Sequence, residues 1–421
     1  MAGLHHTSEG RSKKMSEIEI AILPNGLRVV HCRQGGNVSY CGVAVNAGTR
    51  DERPDENGLA HLVEHTIFKG TARRKACHIR TRMESVGGEL NAYTTKEETV
   101  LYSIYPSAYH ERAMELLGDL VAHATFPDEE FEKEREVVRE EIDMYRDTPS
   151  ELVYDEFENR LFAGHPLGRN ILGTADELSA MSPMQARGFM ARCYKAGEMV
   201  FFSYANAPMS KVVEWAQRYF GDLSCGMRGE SRQGPAAVVP FDERIPYDTH
   251  QAHVVWGCRA YDLYDERRLA LLLLNNMIGG PGQNSLLNVA LREQRGYVYA
   301  VESSVVNYTD TGLFTVYFGT DGKYVGRCLR RIAGEMERLR HGGLTPWRVA
   351  AAKKQYRGQL LVAEDNNESL ALALGKSYMR YGSVLSQEEQ AQRIEAVTVE
   401  QMQAVADDIM DTRQWSLLVL E

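Results

Sequence analysis

One segment without a periodic apolar pattern divides this chain into two patterned halves. Residues 222–250 contain Gly226, Gly234, Pro240 and Pro246 among charged residues, a composition that predicts a linker. With 421 residues the chain is also too long for one core, so two domains of roughly 200 residues are expected. The predicted units are a mobile tail at 1–15, a first domain at 16–221, the linker at 222–250 and a second domain at 251–421.

Both halves repeat one order of predicted elements. In each half, strand-like segments come before an apolar helix, and further strands and long helices follow. This order predicts an α+β fold of two homologous domains, each a mostly antiparallel sheet with helices packed on one face. Predicted strands lie at 26–31, 40–47, 99–105, 253–259, 298–306 and 312–318, and predicted helices at 108–123, 127–145, 267–278, 284–295, 322–340 and 346–363.

The motif with the clearest chemistry is His-Leu-Val-Glu-His at residues 61–65. His61 and His65 are four residues apart, so on a helix that begins after an N-cap at Asn57 both imidazoles face one ion. Glu64 can face the same ion without being its ligand. Two imidazoles with room for a further ligand are typical of a catalytic zinc site, although a helical histidine is more often a core or surface residue.

A third ligand is available from a glutamate-rich helix predicted at 127–145. Pro127 and the acidic residues after it suit a helix start. Glu134 and Glu141 are seven residues apart and share one face. A charged run is usually a solvated face, so the pattern alone does not select a ligand, and Glu140 competes with Glu141 for that role.

The region 57–141 resembles the HxxEH metallopeptidases (inverzincins) of the pitrilysin, insulin-degrading enzyme and mitochondrial-processing-peptidase group, family M16. The resemblance implies one Zn²⁺ per chain, bound by His61, His65 and Glu141. It also implies Glu64 as general base and Glu134 as the acid that orients a ligand histidine. The matching segments are Gly58-Leu59-Ala60-His61-Leu62-Val63-Glu64-His65, Phe68-Lys69-Gly70-Thr71, Gly87-Gly88-Glu89-Leu90-Asn91-Ala92-Tyr93-Thr94 and the pair Glu134 and Glu141.

A second matching signature lies in the other half of the chain. Taken alone, residues 286–299 predict an ordinary helix that ends at Gly296 and leads into a strand. The segment resembles the Leu-Arg-Glu-x-Arg-Gly-x-x-Tyr signature of the same family, which implies that Arg292 and Tyr299 contact substrate and stabilise the oxyanion. The glycine-rich turn at 279–282 is interpreted as a helix–helix turn, and resemblance to processing peptidases offers substrate contact as an alternative.

The segment from Gly88 to Tyr93 resembles the family's edge strand beside the zinc. Such an edge can take an extended peptide as an added strand, so the resemblance implies substrate contact. A turn followed by an ordinary structural strand is the alternative. The implied substrate-contacting residues are Gly88, Glu89, Leu90, Asn91, Ala92, Tyr93, Arg292 and Tyr299.

The expected activity is that of a zinc-dependent endopeptidase acting on extended oligopeptides or leader peptides, with Glu64 activating the zinc-bound water. The alternative is a non-catalytic scaffold or core subunit that keeps the fold. Larger relatives carry four such domains, so this chain is expected to pair as a homodimer, with each subunit lending Arg292 and Tyr299 to the other. A heterodimer with a motif-poor homologue is the alternative.

Composition argues against several other classes of protein. The net charge is −10 with no sustained basic stripe, which argues against a nucleic-acid partner. No stretch of about 18 apolar residues is present, so no membrane span is expected. The first residues have no apolar core of the kind a secretory signal needs, and we expect a cytoplasmic protein. The seven cysteines contain no CxxC pair, a pattern typical of reduced thiols.

Overall fold

The computed structural model describes residues 18–421, so the tail predicted at 1–15 lies outside the described residues. The strands are β1 (Ile18–Ile22), β2 (Arg28–Arg33), β3 (Val38–Val45), β4 (Glu89–Thr94), β5 (Thr99–Pro106), β6 (Met199–Ala205), β7 (Asp242–Ile245), β8 (Ala252–Ala260), β9 (Val298–Asn307), β10 (Gly312–Thr320) and β11 (Ser416–Leu420). The helices are α1 (Leu59–Ile67), α2 (Ala76–Glu84), α3 (His110–His123), α4 (Asp128–Arg146), α5 (Pro149–Leu161), α6 (Ala175–Ala180), α7 (Pro183–Cys193), α8 (Met209–Phe220), α9 (Arg268–Gly279), α10 (Val325–Arg338), α11 (Pro346–Ala363), α12 (Asn367–Tyr381), α13 (Gln387–Ala396) and α14 (Val399–Ile409).

The two sheets have the same strand order. The first sheet runs β1-β2-β6-β3-β5-β4 and the second runs β7-β11-β8-β10-β9. Apart from the extra strand β1, each position in one sheet has an equivalent in the other. Among residues 18–421, each sheet has one parallel pair, and the two pairs are formed by equivalent strands, β2 with β6 and β7 with β11. The prediction of two homologous, mostly antiparallel α+β domains is confirmed.

Each domain has its own core between one face of its sheet and a layer of helices. In the first domain β6, with the sequence MVFFSYA, is buried along its whole length and lies in the middle of the sheet. In the second domain β10 is equally buried. Apolar side chains of α1, α3 and α8 pack on the first sheet, and those of α9, α10 and α14 pack on the second. These helices form the single layer that the sequence predicts.

The other face of each sheet is covered by a helix from the opposite half of the chain. Helix α5 follows α4 in the first half and packs on β8 and β11 of the second sheet. Helix α12 follows α11 in the second half and packs on β3 and β6 of the first sheet. An antiparallel sheet that is apolar on both faces needs cover on both. The exchange of these two helices joins the domains, and the sequence pattern did not predict it.

Several local predictions need correction. The N-cap of α1 is Gly58, at φ 91°, and not Asn57, whose amide binds Glu177 instead. A side chain at Gly58 would also meet the carbonyl of Leu172 at 2.6 Å. The predicted helix at 284–295 is a short π-helix at Asn288–Glu293. The predicted linker contains β7, which belongs to the second sheet. Within residues 18–421, every helix is too short or too polar to cross a membrane.

Candidate metal centre and the second-domain pocket

The first turn of helix α1, which carries the histidines, is stabilised by Glu52. The carboxylate of Glu52 accepts hydrogen bonds from the backbone N–H groups of Gly58, at 3.1 Å, and Ala60, at 2.7 Å. These groups have no partner within the helix, so a buried acceptor there compensates for their loss of water. Burial raises the pKa of Glu52 well above its ordinary value, and the two N–H donors oppose that rise. Glu52 therefore fixes where α1 begins.

The structure brings His61, His65 and Glu141 together. The Nε2 atoms of His61 and His65 lie 3.9 and 3.6 Å from Oε2 of Glu141, and one donor atom from each residue falls within 4.8 Å of the others. Donors bound to zinc at about 2.1 Å in a tetrahedron stand roughly 3.4 Å apart. The three side chains therefore fit a zinc ion with small movements, and their chemistry is that of a His₂Glu catalytic site.

The burial of His61 suits a metal ligand. His61 is only 8% exposed, and burial, followed by the nearby His65, lowers its pKa to about 3. Its imidazole is therefore neutral at physiological pH, which is the form that binds a metal. The buried Nδ1 of His61 has no hydrogen-bond partner among residues 18–421.

Glu134 supports the second histidine from the same helix as Glu141. Its Oε2 lies 3.4 Å from Nδ1 of His65, and its Oε1 forms an ion pair with Nζ of Lys69 at 2.7 Å. A carboxylate on the far nitrogen of a ligand histidine fixes the tautomer that leaves Nε2 free to bind metal. Glu140 is exposed, whereas Glu141 is partly buried and lies beside the histidines.

Glu64 lies between the histidines and the edge strand. Burial raises the pKa of its carboxyl group above the ordinary value, and a hydrogen bond from the Thr94 hydroxyl, together with the nearby His65, opposes the rise. A carboxylate with a raised pKa is better suited to accept a proton near neutral pH. Thr94 is the last residue of β4, so the predicted base and the predicted substrate strand are in contact.

Strand β4 is the edge of the first sheet, as the resemblance implies. It pairs with β5 on one side only, and Leu90 to Thr94 are partly exposed. Gly88 precedes the strand in a turn that starts at Gly87, with φ 75°. The free edge leaves backbone N–H and C=O groups available to an added strand.

Arg292 and Tyr299 border one pocket of the second domain. Both side chains are exposed, and they line a cavity of about 600 Å³ whose lining residues all lie between Leu272 and Gln359. Its wall includes β9, the edge strand of the second sheet. The pocket therefore belongs to the second domain, and the histidines and Glu141 belong to the first.

The glycine-rich turn at 279–282 lines the same pocket. A Cβ at Gly279 would stand 2.4 Å from the backbone nitrogen of Ser303, so only glycine lets α9 approach β9 this closely. Asn288 donates to the carbonyl of Gln283 at 2.6 Å and closes the turn. The segment is thus a helix–helix turn that also borders the predicted substrate pocket.

Sequence reasoning missed three residues that position the site. Glu52 caps α1, Lys69 binds Glu134, and Thr94 binds Glu64. Lys69 could have been found from its spacing, because it lies one turn after His65. Glu52 has only a weak signal, an acidic residue shortly before a helix start.

Comparison with known proteins identifies the family of this chain. Residues 28–175 match the family model "Insulinase (Peptidase family M16)", and residues 180–356 match "Peptidase M16 inactive domain". The chain is 35% identical to a Mycobacterium tuberculosis protein named an uncharacterized zinc protease, over 93% of this chain and 90% of that protein. This chain belongs to peptidase family M16. A Streptomyces coelicolor M16 relative, also named an uncharacterized zinc protease, is 32% identical over 93% of this chain and 87% of its own length.

Two solved structures share the M16 fold seen here. A protease from Helicobacter pylori superposes with a TM-score of 0.89 at 20% identity, covering 97% of this chain and all of that one (100%). A Pseudomonas fluorescens chain titled as a peptidase M16 inactive domain superposes at 0.88 with 21% identity, covering 96% of this chain and 97% of that one. These matches confirm the two-domain fold.

Proposed function

We propose that this M16 chain is a zinc metalloendopeptidase that hydrolyses extended oligopeptides or leader peptides. The observation that carries the proposal is the convergence of His61, His65 and Glu141 within 4.8 Å, with Glu64 beside them. Two imidazoles and one carboxylate on rigid helices are a ligand set for catalytic zinc. Relatives named zinc proteases over most of their length support the same activity.

Each side chain of the site has a defined task in peptide hydrolysis. A bound zinc ion would supply Lewis acidity that makes water nucleophilic near neutral pH and polarises the peptide carbonyl. Glu64 accepts the proton of the attacking water and delivers it to the leaving amine. Thr94 orients the Glu64 carboxylate through its hydroxyl, and Glu134 holds His65 in the tautomer that binds metal.

Strand β4 supports a preference for extended substrates. A peptide that pairs with this free edge forms backbone hydrogen bonds, so the scissile bond lies beside Thr94 and Glu64 largely irrespective of sequence. We therefore expect broad sequence tolerance. A digest of a random peptide library, read by mass spectrometry, should show many cleavage sites that a chelator abolishes and added Zn²⁺ restores. An intact library after incubation with the zinc-loaded protein would contradict the proposal.

The position of Arg292 and Tyr299 supports a homodimer. They line a pocket built from 272–359, whereas the histidines and Glu141 lie in the first domain. We propose that Arg292 and Tyr299 of one subunit contact substrate bound at the zinc site of the other. Mixing the inactive variants Glu64→Gln and Arg292→Ala should then restore about a quarter of wild-type activity, because half of the dimers regain one complete site. A mixture as inactive as its components would exclude this arrangement.

A further inference from the structure

The turn between β4 and β5 is unusual because its charged side chains are buried. Lys96, Glu97 and Glu98 are only 6%, 4% and 7% exposed. Charged side chains are almost never buried in this way unless they are paired. A tight turn of a hairpin normally faces solvent, so this turn contacts something other than its own sheet.

Glu97 binds four separate segments of the chain. Its Oε1 accepts hydrogen bonds from Nη1 of Arg50, at 2.6 Å, and from the hydroxyl of Thr309, at 2.7 Å. Its Oε2 accepts the backbone N–H of Thr309 at 3.0 Å. The carbonyl of Glu97 accepts from Arg232, at 2.9 Å, and from Arg380, at 3.2 Å. These partners lie in the first domain, the turn between β9 and β10, the linker and α12.

The contact joins equivalent hairpins of the two repeats. Thr309 and Asp310 form the turn between β9 and β10, which corresponds to the turn between β4 and β5 in the strand order of the sheets. Arg50 adds a bidentate pair with Asp310, at 2.8 and 2.5 Å, within this contact. We call the contact of Arg50 and Glu97 with Thr309 and Asp310 the hairpin junction.

The hairpin junction lies at the ends of the two edge strands that face substrate in the proposed function. Strand β4 leads directly from Thr94, which binds Glu64, into the turn that holds Glu97. Strand β9 begins beside Tyr299 and ends at the turn that holds Thr309. A change in one turn is therefore transmitted along a hydrogen-bonded hairpin to the residues that would position substrate or base.

We propose that Glu97 is a positioning residue that joins the two edge-strand hairpins through the hairpin junction. The first-domain substrate strand is then held in place by the second domain, and the two domains of one chain move as a single unit. The catalytic consequence of Glu97 rests on the proposed peptidase function, but the coupling of the two turns does not.

The substitution Glu97→Gln tests the proposal because the variant is expected to fold. Each arginine around Glu97 keeps a second carboxylate: Arg50 keeps Asp310 at 2.5 Å, and Arg380 keeps Glu98 at 3.2 Å. Arg232 likewise keeps Asp51 at 2.7 Å. Glu335→Gln is the matched control. Glu335 is also buried, at 2% exposure, and pairs with two arginines, but it lies on α10 away from the hairpin junction.

Hydrogen–deuterium exchange of the full-length protein gives the decisive readout. In Glu97→Gln, amide exchange should accelerate by at least about tenfold in both turns, at 95–98 and 307–311, because hydrogen bonds to a charged group are lost across the hairpin junction. Thr309→Val keeps every charge and should accelerate the same two turns to a smaller extent. Glu335→Gln should change neither. Acceleration confined to the turn that carries the substitution, in either variant, would overturn the coupling.

Activity separates positioning from general instability. With a fluorogenic peptide, Glu97→Gln should lower kcat by at least about tenfold while zinc content stays at the wild-type level, since a misplacement of about 1 Å at a substrate strand is costly. Loss of zinc together with activity, or an unchanged kcat, would overturn the positioning role. A wild-type protein that cleaves nothing would refute the proposed function alone, because the exchange experiment still decides the coupling.

Discussion

Replacing Glu134 by glutamine should weaken zinc binding without removing a ligand. The carboxylate of Glu134 serves two partners, Nδ1 of His65 at 3.4 Å and Nζ of Lys69 at 2.7 Å. Glutamine has one acceptor oxygen and places an N–H₂ group where the second acceptor was. One of the two partners therefore loses its acceptor, and the negative charge near the metal is lost as well.

The expected loss of zinc affinity depends on which partner of Glu134 loses its acceptor. Removal of the carboxylate that orients a ligand histidine typically costs about 10- to 100-fold in metal affinity, or about 1.4 to 2.7 kcal/mol. We expect the upper part of this range because Lys69, the closer partner, would keep the single oxygen and leave His65 without support. The protein itself should stay folded, since the Glu134 side chain is partly exposed and does not belong to the apolar core of the first domain.

A competition titration against a chromophoric chelator at neutral pH measures this affinity directly. Glu136→Gln is the matched control, because Glu136 lies two residues further on the same helix and pairs with Arg139 on the exposed face. The control should bind zinc like the wild type. Equal zinc affinity for Glu134→Gln and Glu136→Gln would refute the orienting role of Glu134.

Three further predictions concern the choice of Glu141 as a zinc ligand, the start of α1 and the buried His110. Glu141→Gln should lower zinc affinity by more than about 100-fold, whereas Glu140→Gln, at the exposed neighbour, should bind zinc like the wild type. If Glu140→Gln instead loses zinc affinity in the same titration and Glu141→Gln does not, Glu140 is the ligand. Glu52→Gln removes one of two acceptors at the start of α1 and should lower the free energy of unfolding by about 1–2 kcal/mol in urea titrations, and an unchanged midpoint would contradict its capping role. Burial, followed by the nearby His31, lowers the pKa of His110 to about 3, so the folded state keeps it neutral while the unfolded chain takes up a proton near pH 6.5. The free energy of unfolding should therefore fall as pH drops below about 6.5, by up to about 1.4 kcal/mol per pH unit more than in His110→Gln. Parallel pH profiles for the two proteins would show that His110 does not contribute.

The sequence predicted those parts of the structure whose signals are local. His61 and His65 share a helix face because of their spacing, and the strands and helices around them follow apolar periodicity. Glu141 lies 76 residues after His65, so its role came from resemblance to a known family and not from spacing. The prediction of two homologous domains likewise rested on recognising the two halves as repeats.

The remaining features depend on contacts that a pattern of apolar residues does not specify. Periodicity indicates that α5 and α12 have a buried face, but not that each packs on the sheet of the other domain. The charges of Glu97 and its neighbours in the turn suggest a solvated hairpin, and their burial arises only because arginines from distant segments meet there. The N-cap of α1 is Gly58 and not the predicted Asn57, because Glu52, from outside the helix, accepts hydrogen bonds from the first N–H groups of α1.

The central claim is that Glu64 acts as the base at a zinc site of this chain. Zinc content and peptide cleavage should be measured on the same preparations of wild type and Glu64→Gln. Both proteins should hold close to one zinc per chain, because His61, His65 and Glu141 are intact in each. The variant should lose cleavage by about 10²- to 10⁴-fold. Equal cleavage by the two proteins, or a wild type that binds no zinc, would contradict the account.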